Sequence, residues 1–307
     1  MNTRIRNMAI ARENEKIIGQ GSYETGGQVF HFACPLCRLQ EAEIYKPEAP
    51  EKLVSSLSTP QGEGKISVAE GDTMAYAGEA VLNFANAFTP GGGYLYGASS
   101  QEEALCREST LYASLTGKKG MAYYEENRRQ QSIYGSANIL LSPFVEIFRR
   151  ADSSLFGPPR KTAVITAPAI DLRGPAGRMD TEEIAARRRM RIRHILALAA
   201  AKGYKTLTLG AWGCGVFLNP AEEVASDFYK VLVEEGYRFY FDNIVFAIYC
   251  PGDKGNLESF RAQFSCRQRT AIFLFPMNCL KKNSISRFSP QGRHFLPSFS
   301  FLGNNRL

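Results

Sequence analysis

Twice in this chain a short apolar run opens into a glycine-rich loop that leads straight into a helix, and that repeated order restricts the fold more than any other feature. Ala80–Phe84 (AVLNF) precedes Gly91-Gly92-Gly93, and Thr206–Leu209 (TLTL) precedes the loop 210–218. Two further runs, residues 162–166 (TAVIT, closed by Pro168) and 244–249 (IVFAIY), have the length and β-branched content of buried strands. Between them lie helical patterns. Residues 101–115 place Ala104, Leu105, Leu111, Tyr112 and Leu115 on one face. Asp180 followed by Glu183 forms a capping-box pattern, and Ile192, Ile195, Leu196 and Ala199 then recur at i, i+3, i+4 and i+7 until Gly203 stops the helix. Asn219-Pro220 reads as the N-cap and first position of another helix, 221–235. Strand, glycine loop, helix, strand is the order of an α/β fold: a mixed, mostly parallel sheet covered by helices on both faces. Ligands of such sheets collect at the carboxyl ends of the strands, where both glycine loops fall.

Three stretches differ in character. Residues 1–65 mix short helical and strand-like pieces with turn signals at 19–22 and 62–64, and are expected to form an N-terminal extension packed on the core, 66–265. Residues 266–307 hold six phenylalanines and seven basic residues, no acidic ones and no clean periodicity. They read as a poorly ordered tail, or as a basic–aromatic arm. The location of the charge matters, because the chain carries a formal +7. Taking the seven tail cations from the 37 Lys and Arg leaves 30, against 30 Asp and Glu, so the main body is neutral. A basic footprint for nucleic acid is therefore absent from the domain, and no sequence-specific nucleic-acid partner is expected. No apolar run is long enough for a membrane span, and the N-terminus lacks the apolar core of a secretory signal, so a cytoplasmic monomer is expected. The seven cysteines are odd in number and scattered, unlike a disulfide framework. Cys34-Pro35-Leu36-Cys37 has metal-site spacing, but no second pair completes four ligands, so no metal and no cofactor is expected.

Chemistry concentrates in the two loops. The first runs Asn83-Phe84-Ala85-Asn86-Ala87-Phe88-Thr89-Pro90-Gly91-Gly92-Gly93, then seven residues, then Gln101-Glu102-Glu103. Consecutive glycines let backbone approach a ligand closely, at an entropic penalty that a purely structural turn rarely carries. Ser100 and Glu103 also match S-x-x-E, so Glu103, taken alone, reads rather as a helix cap. The second loop, Gly210-Ala211-Trp212-Gly213-Cys214-Gly215-Val216-Phe217-Leu218-Asn219, joins a strand to a helix N-terminus, a natural phosphate site. Cys214 has no histidine near it in sequence and reads as loop packing rather than as a nucleophile.

Together the two loops resemble a family. GGG, a seven-residue spacer and QEE is similar to the signature of poly(ADP-ribose) glycohydrolases of the short microbial type, which are built on a macrodomain. Leu82 to Asn86, Leu105-Cys106-Arg107, Ile165 to Ala169, the whole 210–217 loop and the Arg4 to Tyr23 region share the likeness, which covers residues 1–265 and none of the tail. The resemblance implies a macrodomain-like fold. It further implies that Glu103 is the catalytic acid and that Glu102 positions a ribose hydroxyl. Asn86 would orient the scissile ribose, and Gly91, Gly92, Gly93 and Gln101 would line its pocket. Gly213, Cys214, Gly215, Val216 and Phe217 would cradle the diphosphate, with Phe217 against the terminal ribose. Asp72 resembles the acid that recognises adenine, although only residues 74–79 stand where macrodomains carry a full helix.

The chemistry is consistent with those roles. Cleaving a ribose–ribose bond needs a protonated carboxyl to hand a proton to the departing oxygen. A glutamate keeps that proton near neutral pH when burial or negative charge raises its pKa. Adjacent helix positions point about 100° apart, so Glu102 and Glu103 cannot flank one bond as a carboxylate pair. The expected activity is release of ADP-ribose from the ends of poly(ADP-ribose), with that polymer or an ADP-ribosylated protein as partner. A non-catalytic ADP-ribose reader, and a hydrolase of single ADP-ribose groups, share nearly every residue.

Overall fold

The computed structural model describes residues 2–265 except 58, 131 and 253, so the tail expected over 266–307 lies outside the described residues. A seven-stranded mixed sheet runs in the order β3-β6-β7-β5-β8-β9-β4. Its strands are β3 (Glu43–Tyr45), β4 (Lys65–Glu70), β5 (Ala80–Phe84), β6 (Ile139–Arg149), β7 (Leu155–Ala167), β8 (Thr206–Leu209) and β9 (Asn243–Ile248). The pairs β4–β9, β9–β8, β8–β5 and β5–β7 are parallel. The pairs β6–β7 and β3–β6 are antiparallel. A separate hairpin, β1 (Ser22–Thr25) with β2 (Gln28–His31), follows the first helix.

Side chains alternate across the central strands, and the alternation explains why the sheet is sandwiched. On β5, Ala80 and Leu82 point into one core and Val81 into the other; on β7, Ala163, Ile165 and Ala167 oppose Val164. The first core is closed by α7 (Thr181–Ala201), α8 (Ala221–Tyr229) and α9 (Gly255–Ser265), with Phe228, Phe246, Phe260 and Phe264 packed among them. The second is closed by α4 (Gln101–Glu108), α5 (Leu111–Thr116) and α6 (Lys118–Arg129), whose Leu105, Leu111, Leu115, Tyr123 and Tyr124 are all solvent-inaccessible. Helix α1 (Thr3–Gln20) is capped by Asn2 and ends at Gly21 in the left-handed region, φ 72°. Two short helices, α2 (Leu36–Leu39) and α3 (Glu48–Ser56), precede β4. Residues before 65 thus supply β3, an edge strand of the main sheet.

Several expectations are corrected. The helix read over 101–115 is two helices, because Ser109 Oγ accepts from the Leu111 N–H while donating to the Leu105 carbonyl. The Thr110 N–H goes to the Glu146 carbonyl at 3.0 Å, so strand β6 draws the chain out of helical register. The helix expected over 221–235 is α-helical only to Tyr229 and widens into a π-turn at Lys230–Glu234. Asn219 does not cap it: Pro220 takes the N-cap position, with no side-chain capping bond. The strand expected over 162–166 is the end of the longer β7. Between β4 and β5 the shortened crossover is a single 3-10 turn, Met74–Tyr76.

Candidate active site

Parallel β5 and β8 lie side by side, so the loops leaving their carboxyl ends open on the same cleft, of about 570 Å³. That volume suits a ligand of small-molecule size. Its walls include Asn86, Gly92, Gly93, Gln101, Glu102 and Glu103 from the first loop and Gly213, Gly215, Val216 and Phe217 from the second.

Two carboxyls press against the middle glycine of the triplet. Gly92 adopts φ +56°, and a Cβ there would stand 2.5 Å from Glu103 Oε1 and 3.1 Å from Glu102 Oε2. Both acids sit in the first turn of α4, and neither caps it. Glu103 turns across to the loop, where its Oε1 accepts the Gly93 N–H at 2.8 Å. The S-x-x-E pattern is therefore no capping box: Ser100 holds the N-cap position without a side-chain bond. Glu103 is 7% exposed, and its Oε2 is buried with no hydrogen-bond partner. A buried carboxyl oxygen without a partner among the described residues disfavours folding, and it is the atom left free to meet a ligand.

Glu102 is held on both oxygens. Oε1 accepts from Asn83 Nδ2 at 3.3 Å and Oε2 from the Asn86 N–H at 2.7 Å. Burial pushes its carboxyl up to about 8; the Asn86 and Asn83 donors pull it down, and the Glu103 charge raises it. With its oxygens committed to the loop, Glu102 is fixed in place and Glu103 keeps one free. Asn86 spends its Oδ1 on the N–H groups of Phe88 and Thr89, at 2.8 and 3.0 Å, which leaves Nδ2 for a ligand. Gln101 is occupied structurally. Its Oε1 accepts the Phe84 N–H at 2.9 Å and its Nε2 donates to the Leu82 carbonyl at 2.9 Å, pinning α4 to the end of β5.

The second loop bends sharply at Gly213 (φ +80°) and again at Leu218 (φ +58°). The N–H groups of Cys214, Leu218 and Asn219 bond back to Ala211, Gly215 and Gly213. Among the described residues no protein acceptor faces the N–H groups of Gly215, Val216 and Phe217. Consecutive unpaired amides on an exposed turn form an anion-binding concavity. Phe217 carries the Arg173 guanidinium 5.3 Å from its ring centroid. Trp212 is buried, donating Nε1–H to the Ala167 carbonyl at 3.0 Å.

Two sequence-selected residues do not line the cleft. Gly91 (φ +64°) packs beneath it, where a Cβ would meet Tyr112 and the Cys106 sulfur. Cys214 turns its thiol inward, and burial pushes it up to about 12, so no thiolate nucleophile forms at neutral pH. Cys34 and Cys37 are free thiols, and among the described residues no cluster of three or more His, Cys, Asp or Glu is placed to hold a metal. Asp72 lines the cleft and caps the Met74 and Ala75 N–H groups through Oδ1, at 2.8 and 3.2 Å. Asn83, Arg188 and the side chain of Asn219 were not selected from sequence. A polar residue inside the buried run AVLNF was the available signal for Asn83.

Comparisons with known proteins place the chain in one family. The family model for the catalytic domain of microbial-type PARG, poly(ADP-ribose) glycohydrolase, matches residues 11–150. The crystal structure of the poly(ADP-ribose) glycohydrolase of Thermomonospora curvata is 34% identical, with a TM-score of 0.80, covering 85% of this chain and 100% of that one. The same enzyme bound to the inhibitor ADP-HPD is 34% identical at a TM-score of 0.76, with the same coverage. The enzyme of Deinococcus radiodurans in complex with ADP-ribose is 33% identical at a TM-score of 0.68, covering 75% of this chain and 97% of that one. No curated protein matches the sequence.

Proposed function

Since this chain belongs to the microbial-type poly(ADP-ribose) glycohydrolases, we propose that it releases ADP-ribose from polymer ends with Glu103 as the general acid. The observation that carries the assignment is the asymmetry of the Glu103 carboxyl, on a residue that lines the cleft: Oε1 is tethered to the Gly93 N–H, while Oε2 is buried and, among the described residues, without a partner. In this mechanism Oε2 gives its proton to the oxygen leaving the scissile ribose as the C–O bond breaks through an oxocarbenium-like state. A water then adds to that carbon and returns a proton to Glu103. Glu102, anchored on both oxygens, orients a ribose hydroxyl and does not exchange protons with the reacting bond. Asn86 Nδ2 and the backbone of Gly92 and Gly93 hold the scissile ribose. The free amides of Gly215, Val216 and Phe217 take the diphosphate, and the Phe217 ring packs on the adjoining ribose. The transferred proton and the positioned water account for every bond made and broken.

One feature supports this over a reader with the same pocket. A binding module gains nothing from a buried carboxyl with one unsatisfied oxygen, which disfavours folding. The reading extends to the polymer because the inhibitor-bound and ADP-ribose-bound structures that this chain resembles are glycohydrolases. The test is product analysis: labelled poly(ADP-ribose) incubated with the protein should yield free ADP-ribose. Tight binding of uncut polymer would mark a reader, and cleavage confined to single ADP-ribose groups on protein would mark the mono-ADP-ribosyl hydrolase.

A further inference from the structure

Beneath the second loop, α7 sends Arg188 into the interior at 2% exposure. Its Nε donates to Asp227 Oδ2 at 2.6 Å and its Nη2 to Glu223 Oε2 at 3.1 Å, which leaves Nη1 for Asn219 Oδ1 at 3.2 Å. Asn219 is 3% exposed, and its Nδ2 reaches the carbonyls of Ile170, Gly213 and Phe217, at 2.8, 3.2 and 3.4 Å. Its own N–H returns to the Gly213 carbonyl at 3.1 Å. One side chain thus ties the first bend of the loop, its last aromatic residue and the segment after β7 to a single point. An asparagine amide can sit either way round, and guanidinium has donors only. Arg188 therefore decides the orientation: it claims the oxygen and turns the NH2 toward the three carbonyls. The fit is close, since a Cβ on Gly213 would stand 2.8 Å from Asn219 Nδ2. Asn219 has meanwhile given up the capping of α8, the ordinary use of an asparagine at that place.

We propose that Asn219, oriented by Arg188, is a positioning residue for the diphosphate. The Gly213 and Phe217 carbonyls are both held by Nδ2, the latter also by the Leu172 N–H at 3.1 Å, so both ends of the turn that carries the amides of Gly215, Val216 and Phe217 are fixed before the anion arrives. The inference rests on the assignment of this loop to the diphosphate. A preformed cradle lowers the ordering cost of binding and acts equally on bound substrate and transition state, so its loss raises KM and leaves kcat in place.

The test compares ADP-ribose with adenosine, which lacks the phosphates. In Asn219→Ala the dissociation constant for ADP-ribose and the KM for polymer should both rise about tenfold, the loss of one to two net hydrogen bonds, with kcat and the adenosine affinity within about twofold. Arg188→Lys keeps the charge beside Asp227 but loses the planar fork. It should show the same pattern at about threefold, and it supplies the answer if Asn219→Ala does not fold. A purely structural role would lower the melting temperature and leave both affinities of the folded protein alone. The proposal is overturned if a folded variant binds ADP-ribose within twofold of wild type, or loses adenosine and ADP-ribose in equal measure. A wild-type protein that fails to bind ADP-ribose would instead remove the functional assignment, which separates the two failures.

Discussion

Replacing Gly92 by alanine is the most informative single perturbation of the glycine triplet, because it adds one methyl group against both carboxyls. Two effects can be sized separately. The left-handed backbone at φ +56° costs a residue with a Cβ roughly 1–2 kcal/mol. For a domain of this size that lowers the melting temperature by about 2–8 °C. The second effect is local. The new Cβ would stand 2.5 Å from Glu103 Oε1, well inside van der Waals contact, and Glu103 is the more movable partner. Its Oε1 must withdraw by about an ångström, which breaks the bond to the Gly93 N–H and swings Oε2 away from its place. A misplacement of that size costs on the order of 10²-fold in rate. Release of ADP-ribose from polymer under saturating substrate should therefore fall about a hundredfold. Meanwhile the affinity for ADP-ribose, which the proposed function assigns largely to the other loop, should change by less than about tenfold. A folded Gly92→Ala protein turning over within threefold of wild type would refute the idea that Gly92 is there to seat the carboxyls.

Three further outcomes follow from the same geometry. Burial, then the Asp72 charge, push the Glu108 carboxyl up to about 10. Its folded value lies above its unfolded one, so its contribution is intact below about pH 4.5 and is lost as pH rises toward 10. Glu108→Gln should then gain on wild type from pH 5 to pH 8, by no more than about 4 kcal/mol in denaturant unfolding, and parallel stability curves would contradict it. Cys214→Ala should keep its turnover within about threefold, since a thiol held near 12 supplies no nucleophile; inactivation of wild type by a thiol reagent at that residue would say otherwise. Glu102→Gln should lower kcat/KM and also loosen the loop that its carboxyl anchors through the Asn86 N–H, seen as faster amide exchange at Asn86; unchanged exchange would show that the anchor is not needed.

Four of the five strands in the parallel part of the sheet were legible in sequence because strands buried on both faces read as mostly apolar runs, as in AVLNF and TAVIT, whereas β4, half-exposed along its length, was not. The antiparallel half was not. Strand β6 is interrupted by a register shift between Ser142 and Val145, and β3 is only three residues long, so neither shows a clean period. The break after Glu108 was hidden because Leu111, Tyr112 and Leu115 continue the apolar face of α4 in phase. At the site, sequence alone left Glu103 open between cap and cleft, since S-x-x-E is satisfied by either. Only the position of the Gly93 amide distinguishes them. A phosphate site at the second loop was suggested by the helix N-terminus it enters, but the clamp on the loop depends on Arg188 and Asn219, 31 residues apart. No local pattern reports such a pair.

The central claim is that one unpartnered carboxyl oxygen performs the chemistry, and Glu103→Gln tests it most directly, because the amide keeps the size and the contact with Gly93 while removing the proton to be given. Release of ADP-ribose should fall by about 10² to 10⁴-fold, with the dissociation constant for ADP-ribose within a few-fold of wild type. A Glu103→Gln protein that still turns over polymer at near wild-type rate would contradict the account.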